Sequence, residues 1–286
     1  MKQLLCTASC LAMLFCGGCA GKESNALDGD ETHQAAKPMV GEVTLQATPE
    51  LRGGKEKDVR ESPSPSLAEL RRKYAHVFVI RGPRTKRQVA LTFDDGPDLH
   101  FTPQVLDMLK KHRVKATFFL VGKRAQFHPE IVKRIVAEGH VIGNHSYYHA
   151  NLPKLNHKHF RDEILRTESM LKKLTGYAPK LVRPPYGTIN EKQIKWLARK
   201  QYTVVNWNVD SLDWKGLIAN EVTANVLGSV SPGAIILQHS AGGTGEDLSG
   251  SVQALDTIIQ TLKRDRVRLV TLPELLNISK AMPSPN

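Results

Sequence analysis

Two adjacent carboxylates, Asp94 and Asp95, end an apolar and β-branched run in the sequence VALTFDDGPD. Neighbouring residues of a strand point to opposite faces, so two acids in a row cannot both be ordinary solvent-facing positions of an amphipathic strand. A turn is one interpretation, because Asp-Asp-Gly-Pro side chains readily cap backbone N–H groups. A catalytic role for the two carboxylates is the other interpretation, and the rest of the sequence distinguishes between the two.

Two imidazoles, His145 and His149, lie four residues apart in GNHSYYHANL. On one helical turn or in a tight loop this spacing brings both rings to a common point, as a divalent metal requires. With one carboxylate they form a two-His, one-Asp set that suits Zn²⁺ or a similar ion and leaves positions open for water and substrate. One aspartate of the DDG pair would then bind the ion, and its neighbour would take a proton from the water that the ion activates.

Strands and helices must position these side chains, and from Ser66 onward apolar runs alternate with amphipathic stretches of helical period. The predicted strands are VALTF, ATFFLVG, HVIGN, KLVRP, TVVNWNVD, AIILQHS and RLVTL. Seven strand–helix repeats predict a parallel sheet covered by helices. No Gly-rich phosphate loop follows the first strand, which disfavours a Rossmann-type sheet. We therefore expect an α/β fold, a distorted (β/α) barrel of seven to eight units with its active site at the C-terminal strand ends.

Further polar residues follow the predicted strands at that same end. Arg183 follows KLV, Asp210, Asp213 and Trp214 lie at and after the end of TVVNWNVD, and His239 follows AIILQ. Each is weak evidence alone. Together with the DDG pair and the two histidines, however, such residues follow five of the predicted strands, which predicts a catalytic rim. In contrast, His157 and His159 lie two apart in a Lys-rich segment and are expected to be exposed.

The charge balance is strongly basic, with 40 Lys and Arg against 28 acidic residues and a formal charge of +12. Such a surface favours an anionic environment: nucleic acid, acidic lipid or a polyanionic matrix such as a bacterial wall. The basic residues are spread over several segments, and no finger, ribonucleoprotein or helix-turn-helix signature is found, so nucleic acid is not an expected partner.

The first 19 residues have the anatomy of a signal peptide: a basic start, an apolar stretch over residues 4–15, and small residues before Cys19. The ending CGGC resembles a bacterial lipobox, which would make Cys19 the lipidated first residue of an exported membrane protein. An uncleaved membrane anchor and plain secretion are the alternatives. All four cysteines lie in this stretch, so the mature domain has no thiol for an internal disulfide. Residues 20–66 are predicted to be a disordered tether, and 67–286 the catalytic domain.

The chain from Gln88 to Leu275 resembles the polysaccharide deacetylases of carbohydrate esterase family 4, the NodB-like domains. The motifs TFDDG, HSYYH, RPPYG, DSLDW and LQH appear in family order. The resemblance implies a distorted (β/α) barrel that hydrolyses N-acetyl groups of amino sugars. Bacterial peptidoglycan N-acetylglucosamine deacetylases are the members it resembles most.

This resemblance implies a role for each motif residue. Asp94 is expected to be the catalytic base, oriented by Arg183, and His239 the general acid, whose protonated state Asp213 supports. The Tyr186 N–H is expected to stabilise the oxyanion, and Trp214 and Leu237 to wall the acetyl pocket. The implied metal ligands are Asp95, His145 and His149, for Zn²⁺ or else Co²⁺, Ni²⁺ or Mn²⁺.

Peptidoglycan is the expected substrate because export and the basic charge point to the wall. Chitin oligomers, another exopolysaccharide and O-acetylated xylan stay open, since the same metal centre can attack an ester. Two other classes of protein share part of this residue set. A non-haem iron oxygenase also uses two His and one carboxylate but predicts a jelly roll. A non-catalytic carbohydrate-binding module would be expected to lose the base, a ligand or the acid, and all are present here.

Overall fold

The computed structural model describes residues 47–54, 56–60 and 66–283. The predicted signal peptide, Cys19 and residues 20–46 of the predicted tether lie outside these residues. None of the helices in the described part of the chain combines the length and apolar character needed to cross a membrane.

A sheet of parallel strands forms the centre of the fold, as predicted. Its strands are β1 Phe78–Val79, β2 Gln88–Asp94, β3 Thr117–Leu120, β4 Val141–Asn144, β5 Leu181–Val182, β6 Thr203–Val205, β7 Val209–Asp210, β8 Ile235–His239 and β9 Arg268–Leu269. They pair in the order β1-β6-β5-β4-β3-β2-β8-β7, and β9 adds to β2.

The two ends of this sheet approach each other without pairing strand to strand in the described residues. An isolated bridge joins Arg81, just after β1, to Ala234, just before β8, and Gly82 N donates to Gly233 O at 2.8 Å. The predicted barrel is therefore confirmed in its distorted, incompletely closed form. Its parallel strands contradict the jelly roll that the iron oxygenase alternative requires.

Helices connect the strands and cover the outside of the sheet. They are α1 Glu56–Arg60, α2 Ser66–Lys73, α3 Phe101–Lys111, α4 Gly122–Phe127, α5 Pro129–Ala137, α6 His157–Thr175, α7 Glu191–Arg199, α8 Ala219–Ser229, α9 Ser249–Arg264 and α10 Leu272–Leu276. Local chemistry sets their ends: Asn190 and Gln193 form a reciprocal capping box at α7, and Gly176 ends α6 in the left-handed region at φ +81°.

Strand alternation divides the apolar residues into two layers. On β2, Leu91 and Phe93 pack outward against α3, α5 and α9, whereas Ala90 packs inward with Phe119 and Ile235. Residues at even positions of β2 therefore face the barrel interior. Asp94 occupies the last of these positions, which explains why an acid can end a buried strand.

The segment TVVNWNVD is two strands and not the single strand predicted. β6 pairs with β1 and β5, whereas β7 pairs with β8. Asn206 donates from Nδ2 to Gly187 O at 2.8 Å, and Asn208 accepts from the Ile235 N–H at 2.9 Å. The Asn208 side chain thus takes a backbone donor at the start of β8, and the chain changes its pairing partner between the two asparagines.

The structure also differs from the predicted tether. In its described parts, residues 47–54 and 56–60, the backbone contacts the catalytic domain; for example, Arg52 N donates to Tyr148 O at 3.0 Å. A polar segment can be ordered in this way because its partners come from a preformed neighbour and not from a core of its own. The rest of the predicted tether stays a prediction.

Candidate active site

The two adjacent aspartates reach the same site by different backbone geometries. Asp94 points into the barrel by strand alternation, and it pairs in register with His239 of β8. Asp95 would point outward on a continued strand, but its φ of +70° is left-handed and ends the strand. That turn re-aims the second carboxylate toward the loop after β4.

That loop carries His145 and His149, and it is a tight loop rather than a helical turn. Ser146 and His149 both have left-handed backbones, at φ +62° and +57°, which fold the loop back on itself. The Nε2 atoms of His145 and His149 lie 3.2 and 3.1 Å from Asp95 Oδ1. One ligand atom from each residue therefore lies within 4.8 Å of the other two.

Hydrogen bonds at the far side of each ring fix which nitrogen faces this cluster. His145 Nδ1 donates to the Arg183 carbonyl at 2.8 Å, because a carbonyl can only accept. The Tyr186 hydroxyl donates to Gly54 O at 2.9 Å, so its oxygen is free to accept from His149 Nδ1 at 3.1 Å. Both Nε2 atoms then carry lone pairs that point at Asp95.

The donor set fits a divalent metal ion. Asp95 Oδ1 is buried and has no hydrogen-bond donor in the described structure, and the two Nε2 atoms beside it are unprotonated in neutral imidazoles. Three converging acceptor atoms without a hydrogen between them require a cation.

Arg183 holds the other aspartate. It is fully buried, and its Nη1 donates to Asp94 Oδ1 at 2.7 Å and to Thr92 Oγ1 at 2.8 Å. Its Nε donates to Val205 O at 3.0 Å, and its guanidinium stacks 4.2 Å from the centre of the Phe119 ring. These contacts leave the Asp94 carboxylate one orientation.

His239 forms a second ion pair across the site. Its Nδ1 lies 2.7 Å from Asp213 Oδ1, and Asp213 Oδ2 accepts from the His239 backbone N–H at 2.8 Å and from Ser251 Oγ at 2.6 Å. Burial alone would lower the pKa of His239, but Asp213 outweighs burial and raises it to about 10. Asp210, the other acid of DSLDW, instead pairs with Arg60 at 2.7 Å.

The comparisons with known proteins agree with this geometry. The family model "Polysaccharide deacetylase" matches residues 81–205. A peptidoglycan-N-acetylglucosamine deacetylase of Bacillus cereus is 56% identical over 208 residues, which are 73% of this chain and 74% of that protein. The chain belongs to the polysaccharide deacetylase family.

A solved structure and a second relative extend the likeness. The crystal structure of the Bc1960 peptidoglycan N-acetylglucosamine deacetylase, in complex with 4-naphthalen-1-yl-N-oxidanyl-benzamide, has a TM-score of 0.73 and 52% identity. That match covers 76% of this chain and all of the crystallised chain. The peptidoglycan-N-acetylglucosamine deacetylase PgdA of Listeria monocytogenes is 40% identical over 192 residues, and the match spans only 39% of that longer protein.

The remaining predicted site residues of this polysaccharide deacetylase lie at the same rim. Tyr186 is buried, with a left-handed backbone at φ +60°. Leu237 is fully buried on β8, two residues before His239 and on the same strand face. Trp214 is half-buried, and its indole N–H has no acceptor among the described residues. His157 and His159 are exposed on the first turn of α6, as predicted.

Several contacts of this deacetylase were not predicted. Thr92 and Ser251 support Arg183 and Asp213, and the period-two rule could have identified Thr92, which shares a strand face with Asp94. Arg124 is buried and donates to three carbonyls, those of Pro49, Asp95 and Gly242, at 2.9, 3.0 and 2.7 Å. No sequence signal distinguishes it from the other basic residues.

Proposed function

We propose that this polysaccharide deacetylase removes N-acetyl groups from the N-acetylglucosamine or N-acetylmuramic acid residues of peptidoglycan and releases acetate. The observation that supports this proposal is the convergence of two units at one rim of the barrel. One is the cluster of Asp95, His145 and His149 beside Asp94, and the other is the His239–Asp213 pair. A non-catalytic module has no need for either unit.

The first unit activates water. Asp95, His145 and His149 would hold a divalent ion, which would supply Lewis-acid polarisation of the acetyl carbonyl and would lower the pKa of a water molecule. Asp94 accepts the proton of the attacking water, because Arg183 leaves its carboxylate in one orientation beside the cluster. His145 Nε2 lies 3.7 Å from Asp94 Oδ2, so base and ligands are close enough to act on one water.

The second unit serves the leaving group. An amine does not depart as an unprotonated anion, so a group must deliver a proton to the sugar nitrogen. His239 is that acid, and Asp213 keeps it protonated at neutral pH. The Asp94–His239 pairing across β2 and β8 brings base and acid to the same end of adjacent strands.

The oxyanion and the acetyl methyl group need their own contacts. The Tyr186 N–H would stabilise the developing oxyanion charge. Leu237 and Trp214 wall the acetyl pocket. These three roles follow from the family motifs and from the placement of all three residues at the rim.

Two features support peptidoglycan over other polymers. The relatives in B. cereus and L. monocytogenes carry that substrate in their names, and the +12 formal charge suits an anionic wall. Chitin oligomers, another exopolysaccharide and O-acetylated xylan are the alternatives.

We also propose export with lipidation of Cys19, which would hold the enzyme at the outer face of the membrane, and plain secretion is the alternative. The apolar stretch that ends in CGGC supports this proposal. Intact mass and lipid labelling of membrane fractions test it. An unlabelled mature chain that lacks Cys19 would refute it.

Acetate release is the decisive experiment for the activity. Purified peptidoglycan, chitooligosaccharides and acetylated xylan are incubated with the enzyme, with and without a chelator, and then with Zn²⁺, Co²⁺, Ni²⁺ or Mn²⁺ restored. We expect chelator-sensitive release, fastest from peptidoglycan. Acetate release from xylan alone would refute the proposal that the protein is an amidase. No release from any substrate would refute the proposal that it is a deacetylase.

A further inference from the structure

The polypeptide upstream of the barrel lies across the rim that carries the site. We call its described parts, residues 47–54 and 56–60, the strap. Near its start, Pro49 O accepts from Arg124 Nε at 2.9 Å, and Arg52 N donates to Tyr148 O at 3.0 Å. Gly54 O then accepts from the hydroxyl of Tyr186, the residue that touches His149.

The strap fits closely against the loop of the metal ligands. A Cβ atom added to Gly53 would lie 2.3 Å from His149 O and 2.1 Å from the Tyr186 hydroxyl oxygen. Only glycine leaves room for this approach. The strap therefore packs directly on the residues that hold the site.

Its other end is anchored on a different loop of the rim. Arg60 pairs with Asp210 at 2.7 Å and with Glu56 at 2.5 Å. Its guanidinium also lies 4.5 and 5.1 Å from the ring centres of Trp207 and Trp214. Trp214 belongs to the expected acetyl pocket, so Arg60 covers one of its walls.

Glu56 lies between these anchors and is buried at 8% exposure. Burial raises the pKa of the Glu56 carboxyl, and the neighbouring Arg60 opposes this effect. Strap residues and site residues line a partly open cavity of about 180 Å³, with Leu51, Gly54 and Glu56 on the strap side and Asp95 and His149 on the site side. Ligand pockets usually hold about 300–1,000 Å³, so the space left beside the strap is smaller than an ordinary ligand pocket.

We propose that the strap is an intramolecular competitor of the polysaccharide, with Glu56 in the space that the acetylated sugar must enter. This inference rests on the proposed function. A carboxylate is planar, as an amide is, and its negative charge is attracted by protonated His239. Because the strap is covalently attached, its effective concentration is high, and a weak contact is enough to keep it docked.

A competing strap affects the KM of the enzyme and not its kcat. Substrate binds the fraction of molecules whose strap has left, so the apparent KM is the intrinsic value divided by that fraction. After release the chemistry is the same, so kcat does not depend on the strap. Loosening the strap therefore lowers KM and leaves kcat unchanged.

The test uses the full chain with Arg60→Ala and, separately, Glu56→Gln. A chitooligosaccharide is the substrate and acetate the readout. Arg134→Ala is the matched control, because Arg134 also pairs with an acid four residues away, Glu138, but on α5. We expect KM to fall roughly threefold or more in both strap variants, with kcat unchanged, and neither value to move in the control. An unchanged or higher KM, or a lower kcat, overturns the proposal.

Hydrogen exchange of peptides that cover residues 47–54 gives a second readout. In the inactive Asp94→Asn background, exchange should speed up when the oligosaccharide binds, and Arg60→Ala should speed it up without sugar. Slower exchange in the presence of the sugar would mean that the strap forms a wall of the substrate site, and this result would overturn the proposed competition. Failure of the proposed function is distinct, because then neither wild type nor any variant releases acetate.

Discussion

His239 Nδ1 lies 2.7 Å from Asp213 Oδ1, and the same carboxylate also holds the His239 backbone N–H. This double contact fixes both the position and the charge of the imidazole. Asp213 raises the pKa of His239 against the opposing effect of burial. The protonated form is the one that donates, so activity is present below this pKa and is lost as pH rises through it.

Asp213→Asn should therefore move the alkaline limb of the kcat/KM profile to lower pH. The neutral amide no longer favours the imidazolium, and burial then lowers the His239 pKa without opposition. Activity at neutral pH should fall by about 10²–10⁴-fold, the usual contribution of a general acid. Ser251→Ala removes one donor to Asp213 but keeps the negative charge of the carboxylate, so it should move the limb much less. A limb that stays in place in Asp213→Asn would contradict this role.

Asp94→Asn and Asp95→Asn should have different defects. Asp95→Asn removes an anionic ligand, so metal affinity should fall, and excess metal should restore part of the activity. Asp94→Asn keeps all three ligands but removes the proton acceptor, so metal should still bind while turnover drops by about 10²-fold or more. Metal content and acetate release are measured on both variants. Metal loss in Asp94→Asn with retention in Asp95→Asn would reverse the assignment.

Arg124→Met should lower metal affinity. The substitution removes the donor to the carbonyl of buried Asp95 and to the carbonyls of half-buried Pro49 and Gly242. An unpaired acceptor that water cannot reach costs about 1–3 kcal/mol, which applies to the Asp95 carbonyl. The backbone of Asp95 is left-handed. Loss of the Arg124 hydrogen bond to its carbonyl should therefore let the carboxylate turn away from the two histidines. Arg124→Lys, which keeps the charge and one donor, should lose less. Competition titration with a zinc-binding dye measures the affinity, and a lower Tm with unchanged affinity would limit Arg124 to a structural role.

Gly143→Ala should destabilise the barrel from within. The added Cβ would lie 2.5 Å from two carbons of the Phe119 ring, the ring on which Arg183 stacks. Overpacking of this kind costs about 1–3 kcal/mol, which lowers Tm by about 2–4 °C per kcal/mol in a domain of this size. Gly228→Ala on α8 is the control, since a Cβ there meets no atom within 4 Å. Equal melting temperatures for the two variants would contradict the packing argument.

The site residues that could be predicted from the sequence are those that lie at the end of a strand. The period of two places Asp94 inside the barrel, and parallel strands bring His239 to the same rim, so both could be predicted. The left-handed backbone of Asp95 could not, because Asp-Asp-Gly-Pro is equally good turn chemistry. The strap and Arg124 were also missed, since their contacts are to backbone carbonyls far away in sequence, which leave no periodic pattern.

The adjacency of Asp94 and Asp95 has a consequence for how the site responds to heat. A single trans peptide keeps their Cα atoms about 3.8 Å apart whatever the surrounding strands do. The Cα spacing of proton acceptor and anionic ligand is thus fixed covalently, whereas the positions of the three histidines depend on the packing of β4 and β8 and on the hydrogen bonds of their rings. We therefore expect warming to displace the imidazoles before it changes the chain distance between the two acids, so that release of the ion follows loss of packing at β4 and β8.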